Sequence, residues 1–246
     1  MPNLKLGRWP LGIGDVCFYP RIDNYEAARR GAELGFHHLD LHSYWDDGDE
    51  SKLAIPIGNR IVNTGTAAKE LSEVAAAAKT VKTAKSAEET LAGWPKPKAG
   101  WGYPTPPNVA GAWEFAIKEL RACPGAVVEP WAGSVCATND VTKELLKAVP
   151  GLRLIVDVGH LVFKDNDPYE LLPYADIVQL RDCAPGKQQL PLGDGVMDFR
   201  RVKTDLEKID YKGSIVVEYF DLPWVGYPLE TPLEWTLLLA GYLTAL

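Results

Sequence analysis

Glu129, Asp157, Gln179 and Glu218 each close an apolar run that reads as a buried strand: AVVEP, LRLIVDVGH, ADIVQLRD and GSIVVEYF. Neighbouring runs are about one strand-plus-helix unit apart, so in a parallel barrel the four ends arrive at one mouth. Three carboxylates gathered without an internal cation repel and raise one another's proton affinity. A divalent ion removes that conflict, and an oxygen-rich set suits Mg²⁺ or Mn²⁺ better than a thiolate-bound zinc. Strand-end carboxylates also cap helices or pair with arginines, which is the better account of any one of them alone. Four in register favour a shared site.

The elements that would carry these residues alternate along the chain. GIGDVCFYP (12–20) reads as a first strand, followed by the helix NYEAARRGAELG (24–35), with Asn24 as its N-cap and Gly35 as its stop. FHHLDLHS (36–43) and NRIVNTG (59–65) are the second and third strands, and a helix opens at Thr66. TVKTAKS (80–86) is a poor fourth strand, and SAEETLAGW a short helix with Ser86 and Glu89 as a capping box. Residues 95–108 are too rich in proline and glycine for regular structure and form a long loop of the kind that covers binding sites. A helix over 109–125 leads into the AVVEP strand. Beyond it come the helix VTKELLKAVPG, the strand LRLIVDV, a short helix DPYELLPY and the strand ADIVQLRD. The helix FRRVKTDLEKIDYKG, the strand GSIVVEYF and the helix TPLEWTLLLAGYLTAL complete the chain. Eight strands alternating with helices predict an α/β fold, a (β/α)8 TIM barrel in a single domain over 1–246 with irregular third and fourth units.

Composition agrees with one large domain. The chain has 246 residues, 46% of them hydrophobic, which is enough for a barrel core. A net charge of −7 argues against a nucleic-acid binder, which needs clustered Lys and Arg. The absence of a signal-like N-terminus and of a long apolar span predicts a cytoplasmic protein with no membrane partner. Cys17, Cys123, Cys136 and Cys183 are scattered without CxxC spacing and read as buried free thiols.

The second half, about 125–221, resembles the xylose isomerase-like TIM-barrel superfamily of sugar phosphate isomerases and epimerases, with GFHHLDL a fainter echo. The resemblance rests on the four strand ends, on the Asp-x-x-His of DVGH, and on VQLRDCAPGKQQLPLGDGVMDF with Gly193, Gly195 and Asp198 in its pattern. It implies a divalent metal, Mn²⁺ or Mg²⁺, on Glu129, Asp157, Gln179 and Glu218, with His160 contacting substrate. It implies too that Glu129 and Glu218 exchange protons with a substrate carbon next to a carbonyl. The products would be those of an isomerase, epimerase or dehydratase acting on a small polyhydroxylated sugar or hydroxy-keto acid. Many members carry His where Gln179 stands, which leaves the metal preference open and gives a second reading: a catalytically inactive barrel serving as a binding or subunit-interaction module. A DNA-repair endonuclease of the same superfamily is disfavoured, because its metal site is rich in histidine and this chain has four.

Other residues complete the expected site. Alternation places His38, Asp40 and His42 on one strand face, and His42 is a pocket candidate if that face points inward. Arg181, two residues beyond Gln179 on the same strand face, is a candidate for holding a substrate carboxylate or phosphate; Lys187 reads as surface. Of eight tryptophans, Trp45, Trp101, Trp131 and Trp224 fall in loops at strand ends, and Trp131 beside Glu129 is the best candidate for a pocket wall. A small-molecule partner follows, and the closing apolar helix leaves a homo-oligomer open.

Overall fold

The computed structural model describes residues 3–18, 22–41, 49–60, 112–121, 125, 127–131, 134–220 and 232–246. Its strands are β1 (Lys5–Leu6), β2 (Trp9–Gly14), β3 (His38–Leu41), β4 (Ile57–Arg60), β5 (Val127–Val128), β6 (Arg153–Asp157), β7 (Ala175–Leu180), β8 (Asp182–Ala184), β9 (Lys187–Leu190) and β10 (Ser214–Val217). Seven of them form a parallel curved sheet in the order β4-β3-β2-β10-β7-β6-β5, with β1 antiparallel beside β2 and β8–β9 a separate hairpin. The helices are α1 (Asn24–Leu34), α2 (Ala112–Arg121), α3 (Asn139–Ala148), α4 (Val158–Phe163), α5 (Phe199–Lys208) and α6 (Pro232–Ala245). This is the (β/α)8 TIM-barrel architecture expected from the alternation. Most of the third βα unit, the strand expected at 80–86, the Ser86 helix and the loop at 95–108 lie outside the described residues.

Strand alternation sorts the core into two sides. Leu11, Ile13, Leu39, Val156, Val178 and Val217 face outward into the main cluster, where Ala28, Leu206 and Leu239 of the helices cover them. The opposite parity points inward, where Val127, Ile155, Ile177 and Val216 pack as one interior layer. Glu129, Asp157, Gln179 and Glu218 each follow one of those four by two residues, and a strand's side-chain period of two therefore places them one layer higher.

Local details depart from expectation at element ends. Asp23, not Asn24, caps α1: its side chain accepts the Glu26 N–H at 3.0 Å, and Gly35 closes the helix at φ 94°. The first long strand starts at Trp9 and stops at Gly14, because Asp15–Cys17 turn into a 3₁₀ helix. Pro168–Tyr174 is likewise 3₁₀, with Pro173 inside it. The short helix α4 and the hairpin were not foreseen. Cys17, Cys136 and Cys183 are free and buried, as expected; Cys123 lies outside the described residues.

Candidate active site

Asp157 is both the last residue of β6 and the N-cap of α4, so the strand enters the helix without a loop. Its Oδ1 accepts the backbone N–H of His160 at 3.1 Å. Three residues into that turn, the imidazole comes back towards its cap, with Nε2 3.5 Å from Asp157 Oδ2 and 3.3 Å from Glu129 Oε1. The Asp-x-x-His spacing is thus a helix N-terminus that presents both side chains to the mouth. Trp131, half-buried beyond β5, stands with its ring 6.4 Å from that of His160. Ser134 fixes this loop by donating its hydroxyl to the Trp131 carbonyl at 3.0 Å.

Arg181 occupies the other end of the ring. The side chain is 0% exposed and pairs with Asp157 through Nη2, while Nη1 donates to the Glu218 carbonyl at 3.1 Å and lies 3.8 Å from Glu218 Oε2. Nε donates to the Gln188 carbonyl at 3.3 Å, and the guanidinium lies over the Phe220 ring, 4.6 Å from its centre. Gly159 makes room for it, since a Cβ there would overlap Arg181 Nε. The expected role of Arg181 as a clamp for a substrate anion meets a different arrangement: these donors are engaged by the protein.

The β8–β9 hairpin supplies the remaining support. Pro185 and Gly186, the latter at φ 72°, make its turn, and it brings Gln188 over α4. The Gln188 amide nitrogen sits 2.6 Å from His160 Nδ1. At the hairpin base, the Asp182 carboxylate collects the backbone N–H groups of Gly193 at 2.8 Å, Gly195 at 3.2 Å and Cys183 at 3.0 Å. Gly193 and Gly195 therefore anchor a loop, and Asp198 caps α5 by accepting the Arg201 N–H at 3.0 Å. Gln188 and Asp182 escaped the sequence reading, although polar residues flanking the Pro-Gly turn just after a site strand were the available signal.

Burial and charge set the proton affinities. Burial alone would raise Asp157, but the charge of Arg181 and the backbone N–H groups of His160 and Gly159 outweigh it and the carboxyl is held below its usual range. His160 is lowered by burial, with Asp157 opposing, so the neutral ring is favoured. For Arg181 burial pulls downward, yet Asp157 and Glu218 more than offset it and the pKa rises. The ring opens unevenly among the described residues: the Glu129 and His160 side chains are 16% and 22% exposed, whereas Asp157 and Arg181 are closed off.

Glu129, Asp157 and His160 bring potential ligand atoms within 4.8 Å of one another, which makes them a candidate metal-binding triad. The four-residue oxygen cage expected from the sequence fits less well. Arg181 stands between Asp157 and Glu218, paired with the Asp157 carboxylate and 3.8 Å from Glu218 Oε2, so its positive charge lies beside any ion those two would share. The Gln188 amide nitrogen contacts both ring nitrogens of His160, 2.6 Å from Nδ1 and 3.3 Å from Nε2. Gln179, 1% exposed, keeps an Oε1 with no hydrogen-bond partner among the described residues. As arranged, the donor set does not fit one divalent ion shared by Glu129, Asp157, Gln179 and Glu218.

Of the remaining expectations, His38 and Asp40 do face the barrel interior, where His38 fills the space beside Gly12 and Gly58 and Asp40 accepts from Asn59 at 2.8 Å. His42, Trp45, Trp101 and Trp224 lie outside the described residues. Lys187 is exposed, and Trp113 packs against a cluster formed by α2, α3 and their neighbours. Among the described residues, no helix is long and apolar enough to cross a membrane.

Comparison with known proteins gives the same fold. The chain is 32% identical to the inosose dehydratase of Geobacillus kaustophilus (strain HTA426), over 39% of each chain, so the match spans well under half of that relative. Among solved structures, a xylose isomerase-like TIM-barrel protein from Mycobacterium smegmatis, in complex with magnesium, superposes with a TM-score of 0.57 at 17% identity, covering 98% of both chains. D-psicose 3-epimerase with D-tagatose, from Clostridium cellulolyticum H10, gives 0.61 at 14% identity, covering 95% of this chain and 97% of that one. The model of the xylose isomerase-like TIM barrel matches residues 26–238, and the chain belongs to that family.

Proposed function

We propose that this protein moves a proton on and off a carbon next to a carbonyl in a small polyhydroxylated compound, as an isomerase, epimerase or dehydratase. The observation that carries the reading is the run of contacts joining Glu129, His160, Asp157, Arg181 and Glu218, at the strand ends beyond the interior cluster of Val127, Ile155, Ile177 and Val216. Glu129 and Glu218 end the first and last of four adjacent strands, β5 and β10, so a substrate in the mouth meets a carboxylate from each side. One takes the C–H proton, and the electron pair moves onto the carbonyl oxygen as an enediolate. Return of a proton to the neighbouring carbon isomerises, return to the opposite face epimerises, and loss of a β-hydroxyl with a proton from the second carboxylate releases water. His160, whose Nε2 lies 3.3 Å from Glu129 Oε1, would hydrogen-bond a substrate oxygen. Trp131 offers an apolar face for sugar C–H groups. A requirement for Mn²⁺ or Mg²⁺ forms no part of this reading, and no step is routed through an ion.

The test is solvent exchange. Incubated in D₂O with D-tagatose or an inosose, the protein should place deuterium at the carbon beside the carbonyl, followed by proton NMR. Glu129→Gln and Glu218→Gln should each slow exchange by about 10²–10⁴. Undiminished exchange in both variants would sink the assignment. The pairing of Arg181 with Asp157 favours a second reading, a barrel that binds such compounds without turnover. Saturable binding with no exchange across the sugar panel would establish it.

A further inference from the structure

The acidic ring contains a cation of its own. Arg181 is completely buried, pairs with Asp157, lies 3.8 Å from Glu218 Oε2, and is fixed by two backbone carbonyls and the Phe220 ring. Its place is built: Gly159 lacks the Cβ that would collide with it, and the β8–β9 hairpin closes over it with the Gln188 carbonyl. A divalent ion shared by Asp157 and Glu218 would lie within a few ångströms of the guanidinium, where like charges in a site sheltered from water repel strongly. At the other end, His160 Nε2 lies 3.3 Å from Glu129 Oε1 and 3.5 Å from Asp157 Oδ2, with the Gln188 amide nitrogen 2.6 Å from Nδ1 behind it. Both gaps between the carboxylates therefore hold a nitrogen-bearing side chain of the protein, His160 between Glu129 and Asp157 and Arg181 between Asp157 and Glu218. We propose that Arg181 is the resident cation of this site, holding Asp157 and Glu218 in place where a divalent ion would otherwise sit, so that the site is formed and maintained without bound metal.

The inference goes beyond the proposed reaction and stands apart from it, because its test reads metal binding and stability rather than turnover. The full chain, dialysed against EDTA and then freed of chelator, is titrated with MnCl₂; bound ion is counted from the loss of the free Mn²⁺ paramagnetic resonance signal, and thermal unfolding is followed with and without the ion. The wild type should bind Mn²⁺ only weakly and unfold at the same temperature in EDTA and in Mn²⁺. Arg181→Met and Arg181→Gln, which remove the charge, should bind Mn²⁺ at least about a hundredfold more tightly. Arg181→Lys keeps the charge and should behave as the wild type. An arginine with only a packing role would cost stability when removed without this gain in affinity. Stoichiometric, micromolar Mn²⁺ binding by the wild type, with a rise in unfolding temperature, overturns the proposal. So does a folded Met or Gln variant that binds no better than the wild type. If neither variant folds, the wild-type titration decides. A failed exchange experiment with the metal results as expected would remove the proposed reaction and leave this inference standing.

Discussion

At the scale of single residues, the site is a chain of polar contacts, Glu129 to His160 to Asp157 to Arg181 to Glu218, in which carboxylates alternate with nitrogen donors. Gln188 decides the chemistry of its exposed end, because the group it offers to His160 Nδ1 chooses which ring nitrogen carries the proton. With the amide N–H donating, nitrogen-resolved NMR of the imidazole should find the proton on Nε2. In Gln188→Glu a carboxylate can only accept there, so Nδ1 should become protonated, giving either the neutral Nδ1–H tautomer or an imidazolium paired with the new charge. A wild-type ring protonated on Nδ1 alone would refute this arrangement. Truncation by Gln188→Leu should cost about 1 kcal/mol of stability, the usual worth of a hydrogen bond, in a urea titration. The identities and spacing of Glu129, Asp157, Gln179, Glu218 and His160 were legible in the sequence. Gln188 was not, because its position over His160 depends on a hairpin that has no period of its own.

Elements place those residues through alternation and through the room that small neighbours leave. β6 runs straight into α4 because Asp157 serves as its own helix cap, which is why Asp157 and His160 arrive together. β3 shows the converse case, a buried imidazole accommodated between two glycines on the flanking strands, Gly12 and Gly58. Burial lowers the pKa of His38 to about 4, with His37 adding to the effect. Between that value and about 6.5, the usual value for histidine, the unfolded chain binds a proton that the folded chain does not. Stability attributable to this group is therefore intact above about pH 6.5 and falls as the pH drops towards 4, by on the order of 2–3 kcal/mol. Urea unfolding at pH 7 and pH 4.5 measures it. His38→Leu should flatten the slope, and an unchanged slope would show that His38 does not carry it. Alternation had already put His38 and Asp40 on one face. That the face is the interior one could be known only from the neighbouring strands that supply the glycines.

For the whole molecule, the polar layer depends on the apolar layer beneath it. Ile177→Ala should remove about 2–5 kcal/mol through lost burial and a residual cavity, measured by denaturant unfolding. If the layers are coupled as the stacking implies, the same change should also weaken saturable binding of a sugar ligand; full stability in the variant would contradict the interior packing. The sequence by itself determined that four oxygen-bearing side chains lie at strand ends of one parity in a parallel α/β barrel. That much is encoded because covalent geometry fixes the side-chain period of a strand, and apolar runs mark which strands are buried on both faces. Tertiary structure alone decided what each of those side chains meets. Arg181 was visible as a charge two residues past Gln179, but a strand's period gives only the face of a side chain, not its reach. Asp157 with the gap at Gly159, the Gln188 carbonyl and the Glu218 carbonyl come from three separate segments. Their convergence on one guanidinium turned an expected metal cage into a ring with its own cation, because charge pairing depends on distances across strands that spacing along the chain does not contain.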